Sequence, residues 1–113
     1  MKMCTDIAQS KVLADILPKG SNDMLWIGYG YCKRVLPKDD IDAAAYPVMK
    51  PAWSLDALLD YLKQRFFVQL EHDGVSWSIA CIEHDTGEKY TSVMFDEPVD
   101  ACWGMILRLN KGE

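Results

Sequence analysis

Asp73-Gly74 lies between two runs of alternating residues, FFVQLEH before it and VSWSIACIE after it, and it constrains this chain more than any other feature. An Asp-Gly pair flanked by alternating apolar residues is among the strongest short-range hairpin signals, because both central residues of a type I′ turn need positive φ. Such a turn predicts Leu70 opposite Trp77, Val68 opposite Ile79 and Phe66 opposite Cys81, all on one face. Gln69, Glu71, Ser76 and Ser78 then share the other face.

Further on, HDTGE fits a three-residue loop with Gly87 in the left-handed position, pairing His84 with Glu88. A third strand follows, placing Thr91, Val93 and Phe95 on the core face and Tyr90, Ser92 and Met94 on the other. The non-core face then holds Phe67, Ala80, Ile82, Tyr90 and Met94, which is too apolar to be left to water. Either the N-terminal part of the chain covers it, or a partner or second copy does; the N-terminal part is the expected cover.

Three helices frame these strands. In TDIAQSKVLADILPKG, Asp6 and Gln9 fit a capping box, Val12, Leu13, Ile16 and Leu17 form an apolar stripe, and Pro18 and Gly20 stop the helix. Ser54 caps a second helix with Leu55, Leu58, Leu59 and Leu62 at i, i+3, i+4 and i+7, and Trp53 is placed to pack on Leu58 as a hydrophobic staple. The third begins at Pro98, has Asp96, Glu97 and Asp100 at its positive end and Arg108 and Lys111 at its negative end, and turns Val99, Cys102, Ile106 and Leu109 toward the sheet.

The stretch MLWIGYGYCKRVLP is rich in aromatic and branched residues and predicts one or two strands, with Gly28 and Gly30 at bulges or bends. KDDIDAAAYPVMKPA has no sustained period and is expected to be a loop. The expected fold is α+β: an antiparallel meander of three to five strands with two or three helices packed on it, its C-terminal part in α-β-β-β-α order. It is read as one domain, 1–113, with a helix-and-strand unit and variable loop over 1–50 and the helix, meander and final helix over 51–113. The helices are expected on the face carrying Val68, Leu70, Trp77, Ile79, Val93 and Phe95.

Charge excludes some functions. The net charge is −5, and it is uneven: residues 54–113 carry five Lys/Arg against eleven Asp/Glu. An acidic surface repels phosphate backbones and anionic lipid, so neither nucleic acid nor membrane is an expected partner. No run reaches the roughly 20 apolar residues of a membrane-spanning helix, and the N-terminus has no signal-peptide core; a cytoplasmic location is the expectation. Cys4, Cys32, Cys81 and Cys102 are widely spaced, without a C-x-x-C pair, and read as free thiols packed as small hydrophobes rather than as zinc ligands.

Both histidines sit in Glu-His-Asp tripeptides, which suggests a metal or acid–base site. In a meander the two turns lie at opposite ends of the central strand, about eight residues at ~3.3 Å each and so roughly 25 Å apart. Turn chemistry accounts for Asp73 and Asp85 without a ligand. A Cys–His pair would need Cys81 with His72 or His84, but His84 falls on the opposite face from Cys81 and His72 at the far end of the hairpin. No catalytic residue, cofactor or metal is assigned. The helix, three strands and helix share their order with double-stranded-RNA-binding domains, yet the lysine cluster of those domains is replaced by Asp96, Glu97 and Asp100. Order alone does not carry function.

CTDIAQSKVLADILP, PAWSLDALLDYL and PVDACWGMILRLN together resemble small proteins of unassigned function carried by gut anaerobic bacteria and their prophages. The resemblance spans the start, the middle helix and the end of the chain; it implies a mobile-element accessory protein and carries no cofactor or catalytic residue with it. The expected function is a non-enzymatic accessory protein acting through protein contacts, with Phe67, Ile82, Tyr90 and Met94 as the candidate interaction face and a protein partner or homodimer as its occupant. Two alternatives stand beside it: a small enzyme with a site near Cys32 and the variable loop, and an RNA-binding module.

Overall fold

A computed structural model of the chain describes residues 2–29, 32–37 and 49–110. The elements run α1 (Ile7–Ala14), β1 (Met24–Tyr29), β2 (Cys32–Pro37), β3 (Met49–Ala52), α2 (Leu55–Lys63), β4 (Phe66–His72), β5 (Trp77–Glu83), β6 (Lys89–Thr91) and α3 (Pro98–Asn110). The class is α+β, with the C-terminal α-β-β-β-α order. Its strands divide into two antiparallel three-stranded sheets, ordered β2-β1-β3 and β4-β5-β6.

In the first sheet two expectations change. Gly28 is neither bulge nor bend: it holds a regular ladder position opposite Lys33. Gly30 and residues 38–48 lie outside the described residues. The end of the expected loop is a strand, since Met49–Ala52 pairs along β1 from Ile27 back to Met24, so the sheet crosses the boundary drawn at residue 50. Pro51 concealed this, but β3 is an edge strand, and an edge has room for a proline that donates nothing to the ladder.

The capping box of α1 forms in full: Gln9 N–H donates to Asp6 at 2.7 Å, and Asp6 N–H donates to the Gln9 side chain at 3.0 Å. Leu13 and Leu17 are buried, and Ile16 packs against the core, but Val12 is 43% exposed because the helix ends at Ala14 and presents a narrow face. At α2, the Ser54 hydroxyl accepts the Ala57 N–H, while Trp53 and Leu58 are buried in one cluster. That cluster also holds Phe66, Ile79, Cys81, Val99, Cys102, Met105 and Ile106, so α2 and α3 cover the inner face of the second sheet.

The first hairpin keeps its predicted faces but not its pairing. His72 lies opposite Trp77, Leu70 opposite Ile79, Val68 opposite Cys81 and Phe66 opposite Glu83. Asp73 N–H bonds to Ser76 C=O, which makes Gly74-Val75 the two-residue loop. Gly74 has φ +97°, and no non-glycine residue has positive φ among the described residues. A positive φ at the first central position alone is the type II′ pattern, which spares Asp73 a left-handed conformation. The pairing moves by two residues, so every side chain stays on its face.

In the second hairpin the displacement is one residue, and the faces exchange. Glu83 N–H bonds to Glu88 C=O, enclosing four residues with Gly87 left-handed at φ +73°, instead of three. Cys81 then pairs with Tyr90, and Ala80 with Thr91. Tyr90 therefore moves to the core face, where it is 8% exposed and meets Phe66 edge-on, while Thr91 turns outward. Two residues separate Ala80 from Trp77, but three separate Thr91 from Phe95, which pairs with Trp77. This extra residue is a β-bulge; Ser92 holds it by bonding Ile79 through both N–H and hydroxyl. The bulge returns Phe95 to the core and leaves Val93, expected there, 72% exposed.

Candidate interaction surface

Alternation of ladder bonds orients the whole second sheet. Arg65 C=O accepts from His84 N–H, and Asp73 N–H donates to Ser76 C=O, at the two ends of the β4–β5 pair. The hydrogen-bonded pairs between them are thus Phe67 with Ile82, Gln69 with Ala80 and Glu71 with Ser78. Their side chains share the outer face, away from α2 and α3.

Three of the four residues expected to form an apolar patch are on or beside that outer face. Phe67 is 66% exposed, Ile82 opposite it is half-buried, and Met94, just past β6, is 49% exposed. The fourth, Tyr90, belongs to the core for the reason given above. In its place the outer face gains a residue that sequence reasoning set aside: the His84 ring packs on Phe67 with centroids 4.4 Å apart. The pairing of Arg65 with His84 brings these rings together, and that pairing was not legible without the true register.

Among the described residues, the N-terminal unit does not cover this patch, contrary to expectation. It docks at the starts of α2 and α3 through polar anchors. Thr5 N–H donates to Trp53 C=O at 2.9 Å, and Trp53 N–H donates to the Thr5 hydroxyl at 3.1 Å. Asp23 accepts both the Ser54 N–H and the Ser54 hydroxyl. Lys2 reaches α3, its ammonium 2.7 Å from Asp100 and its N–H 2.9 Å from Glu97. These bonds, with Leu13 and Leu17 in the core, commit the unit to the helical side.

The remaining candidates are placed as follows. His72 lies beside the first turn, its ring 4.6 Å from Trp77, and His84 in the second turn at the other end of β5. No group of three or more His, Cys, Asp or Glu that could hold a metal occurs among the described residues. Cys4, Cys81 and Cys102 are free and buried. Burial pushes the Cys81 thiol up to about 11 and the Cys102 thiol up to about 12; burial, reinforced by Asp23, also raises Cys4. Such thiols stay protonated near neutral pH and make poor nucleophiles.

A shallow groove of about 550 Å³ runs between the end of α1 and the first sheet, lined by Leu17, Pro18, Leu25, Pro51 and Trp53 among others. A second, of about 450 Å³, is edged by Asp23, Asp56, Asp60 and Tyr61. Neither contains a histidine or a cysteine. The side chain of Cys32 lies outside the described residues. No helix among the described residues is long and apolar enough to cross a membrane. No family model matches this chain, and neither a curated protein nor a solved structure does.

Proposed function

We propose that this chain is a non-catalytic accessory protein that works by binding another protein through the outer face of the β4-β5-β6 sheet. One observation carries this reading: Phe67 projects from near the start of a regular strand at 66% exposure, with Ile82 opposite it and the His84 ring against it, and Met94 is a further exposed apolar side chain toward the other end of the sheet. A large aromatic side chain on a sheet face gains the most when a partner desolvates it. The acidic start of α3, whose Glu97 and Asp100 are engaged by Lys2, favours this reading over an RNA-binding module, and the burial-raised thiols of Cys81 and Cys102 favour it over an enzyme that uses either of those two cysteines as nucleophile. The proposal includes a mobile-element context in the cytoplasm, for which the resemblance to proteins of gut anaerobic bacteria and their prophages is the support.

The test is affinity capture with the intact chain and with Phe67→Ser, read by identification of the retained protein and by light scattering. A defined partner, or a second copy, held by the parent chain and lost on Phe67→Ser with the circular dichroism unchanged is the expected result. A chain that stays monomeric, retains no partner and is indifferent to Phe67→Ser overturns it.

A further inference from the structure

Strand β4 has an unpaired edge, and it differs from the other edges in one respect. The first sheet ends in β2, which contains Lys33, Arg34 and Pro37, and in β3, which contains Lys50 and Pro51; β6 has three residues, carries Lys89 and runs into a bulge. Short length, charge and lysine above all, proline and bulges are among the devices by which proteins stop an edge from pairing with another chain. β4 has no lysine, proline or bulge, and Glu71 near its end is its one acidic residue: seven residues, FFVQLEH, pair with β5 in unbroken register, and no strand lies beyond it among the described residues. Because the odd-numbered residues bond to β5, the N–H and C=O groups of Phe66, Val68, Leu70 and His72 point outward along this edge.

We propose that the β4 edge pairs with the β4 edge of a second copy of this chain, antiparallel, about a two-fold axis at Gln69. This deepens the protein-contact reading and rests on it. An isologous antiparallel pairing centred on Gln69 sets Phe66 opposite the second copy's residue 72 and Val68 opposite its residue 70, so every outward group of the strand meets a partner. The same register is complementary in charge. Arg65 at one end of the strand faces Asp73 at the other end of the second copy, twice, with Glu71 diagonal to Arg65. Arg65, Glu71 and Asp73 are all exposed, and the Arg65 side chain, which reaches Glu83 at 3.0 Å, is 65% exposed. Phe67 packs beside the junction, so two such patches become one surface on a six-stranded sheet. The net charge of −5 opposes approach at long range, but repulsion between exposed charges is screened beyond about 8 Å at physiological salt.

The axis supplies the test, since Gln69 faces its own copy and is exposed on the outer face, where substitution spares the core. Gln69→Lys and Gln69→Glu are each expected to weaken the dimer at least about tenfold in analytical ultracentrifugation, as like charges then meet across the axis. Mixed in equal amounts, the two variants are expected to restore it. In the parent chain, hydrogen exchange at the amides of residues 66, 68, 70 and 72 is expected to slow with concentration, with the amides of 67, 69 and 71 protected throughout. A parent chain monomeric at every concentration overturns the proposal, as does a dimer indifferent to both Gln69 variants or one without protection at the four outward amides. If Phe67→Ser abolishes association and the Gln69 variants leave it intact, edge pairing is overturned and the outer-face reading stands. A partner of another sequence retained by a monomeric chain has the same consequence.

Discussion

The Lys2 ammonium lies 2.7 Å from a carboxylate oxygen of Asp100, which bridges two residues 98 positions apart in the chain. The same ammonium bonds Gln9 at 2.9 Å, and Gln9 in turn donates to Asp100 at 2.8 Å, so the capping box of α1 and the first turn of α3 share one network. Burial by itself would lower the Lys2 ammonium, but Asp100 and Asp6 override it and hold it above its usual range. A raised ammonium stabilises the fold in full below its ordinary value of 10.5, and that contribution disappears as pH rises through the folded value. Lys2→Met is expected to cost about 1–2 kcal/mol at neutral pH, and the difference from the parent in denaturant melts should shrink only in strongly alkaline solution.

Gly104 faces Phe95 across the inner face of the second sheet. A Cβ at Gly104 would come within 2.6 Å of the ring's Cζ and 2.8 Å of its Cε2. Alanine is a better helix former than glycine by about 1 kcal/mol, yet overpacking costs about 1–3 kcal/mol, so Gly104→Ala is expected to lower the melting temperature. Adding Phe95→Leu should recover part of the loss. A second substitution that made matters worse by the sum of the two single effects would show that the sites do not couple.

Asp73 holds the first turn with its carboxylate, which accepts the Ser76 N–H at 2.7 Å and the Val75 N–H at 2.8 Å. These bonds keep the carboxyl below its ordinary value of 3.8, so the stabilisation is present above that value and fades as pH falls through the folded one. Asp73→Ala is expected to loosen the β4–β5 hairpin at neutral pH and to lose its effect in strong acid, as hydrogen exchange at Glu71 and Ser78 would report.

Cys81 and Cys102 are both fully buried, with thiols raised by burial to about 11 and about 12. Neither is expected to react with a thiol reagent at neutral pH until the chain is unfolded. Between the ordinary value of 9.0 and these raised values the buried thiols oppose ionisation, so stability should decline as the solution becomes strongly alkaline. Rapid labelling of either residue in the native chain would contradict its place in the core.

Local signals read true at the helix caps and at Gly87, though not at the first turn, where a type II′ Gly74-Val75 loop replaces the expected Asp73-Gly74 turn. Asp6 with Gln9, Ser54 ahead of its leucines, Gly87 left-handed and Pro98 opening α3 each depend on neighbours within one turn. The face of β4 was legible for a related reason: alternation tolerates a pairing error of two residues. β6 was not, because the choice between three and four loop residues turns on the single bond from Glu83 to Glu88, and a one-residue error sends Tyr90 to the wrong side. The bulge at Ser92 then rescued Phe95 for the core and left Val93 outside, an outcome no period-2 pattern contains.

By itself the sequence determined the α+β class, the helices, the α-β-β-β-α order and the outer-face position of Phe67, since capping and alternation act over a few residues. Tertiary structure decided where the N-terminal unit goes. Lys2, Thr5 and Asp23 find partners on α3 and around the start of α2, from 31 to 98 positions away, and polar groups leaving water take the bonds that satisfy them. That choice, made by contacts with no periodicity to announce them, keeps the described part of the unit on the helical side and leaves Phe67 exposed on the outer sheet face.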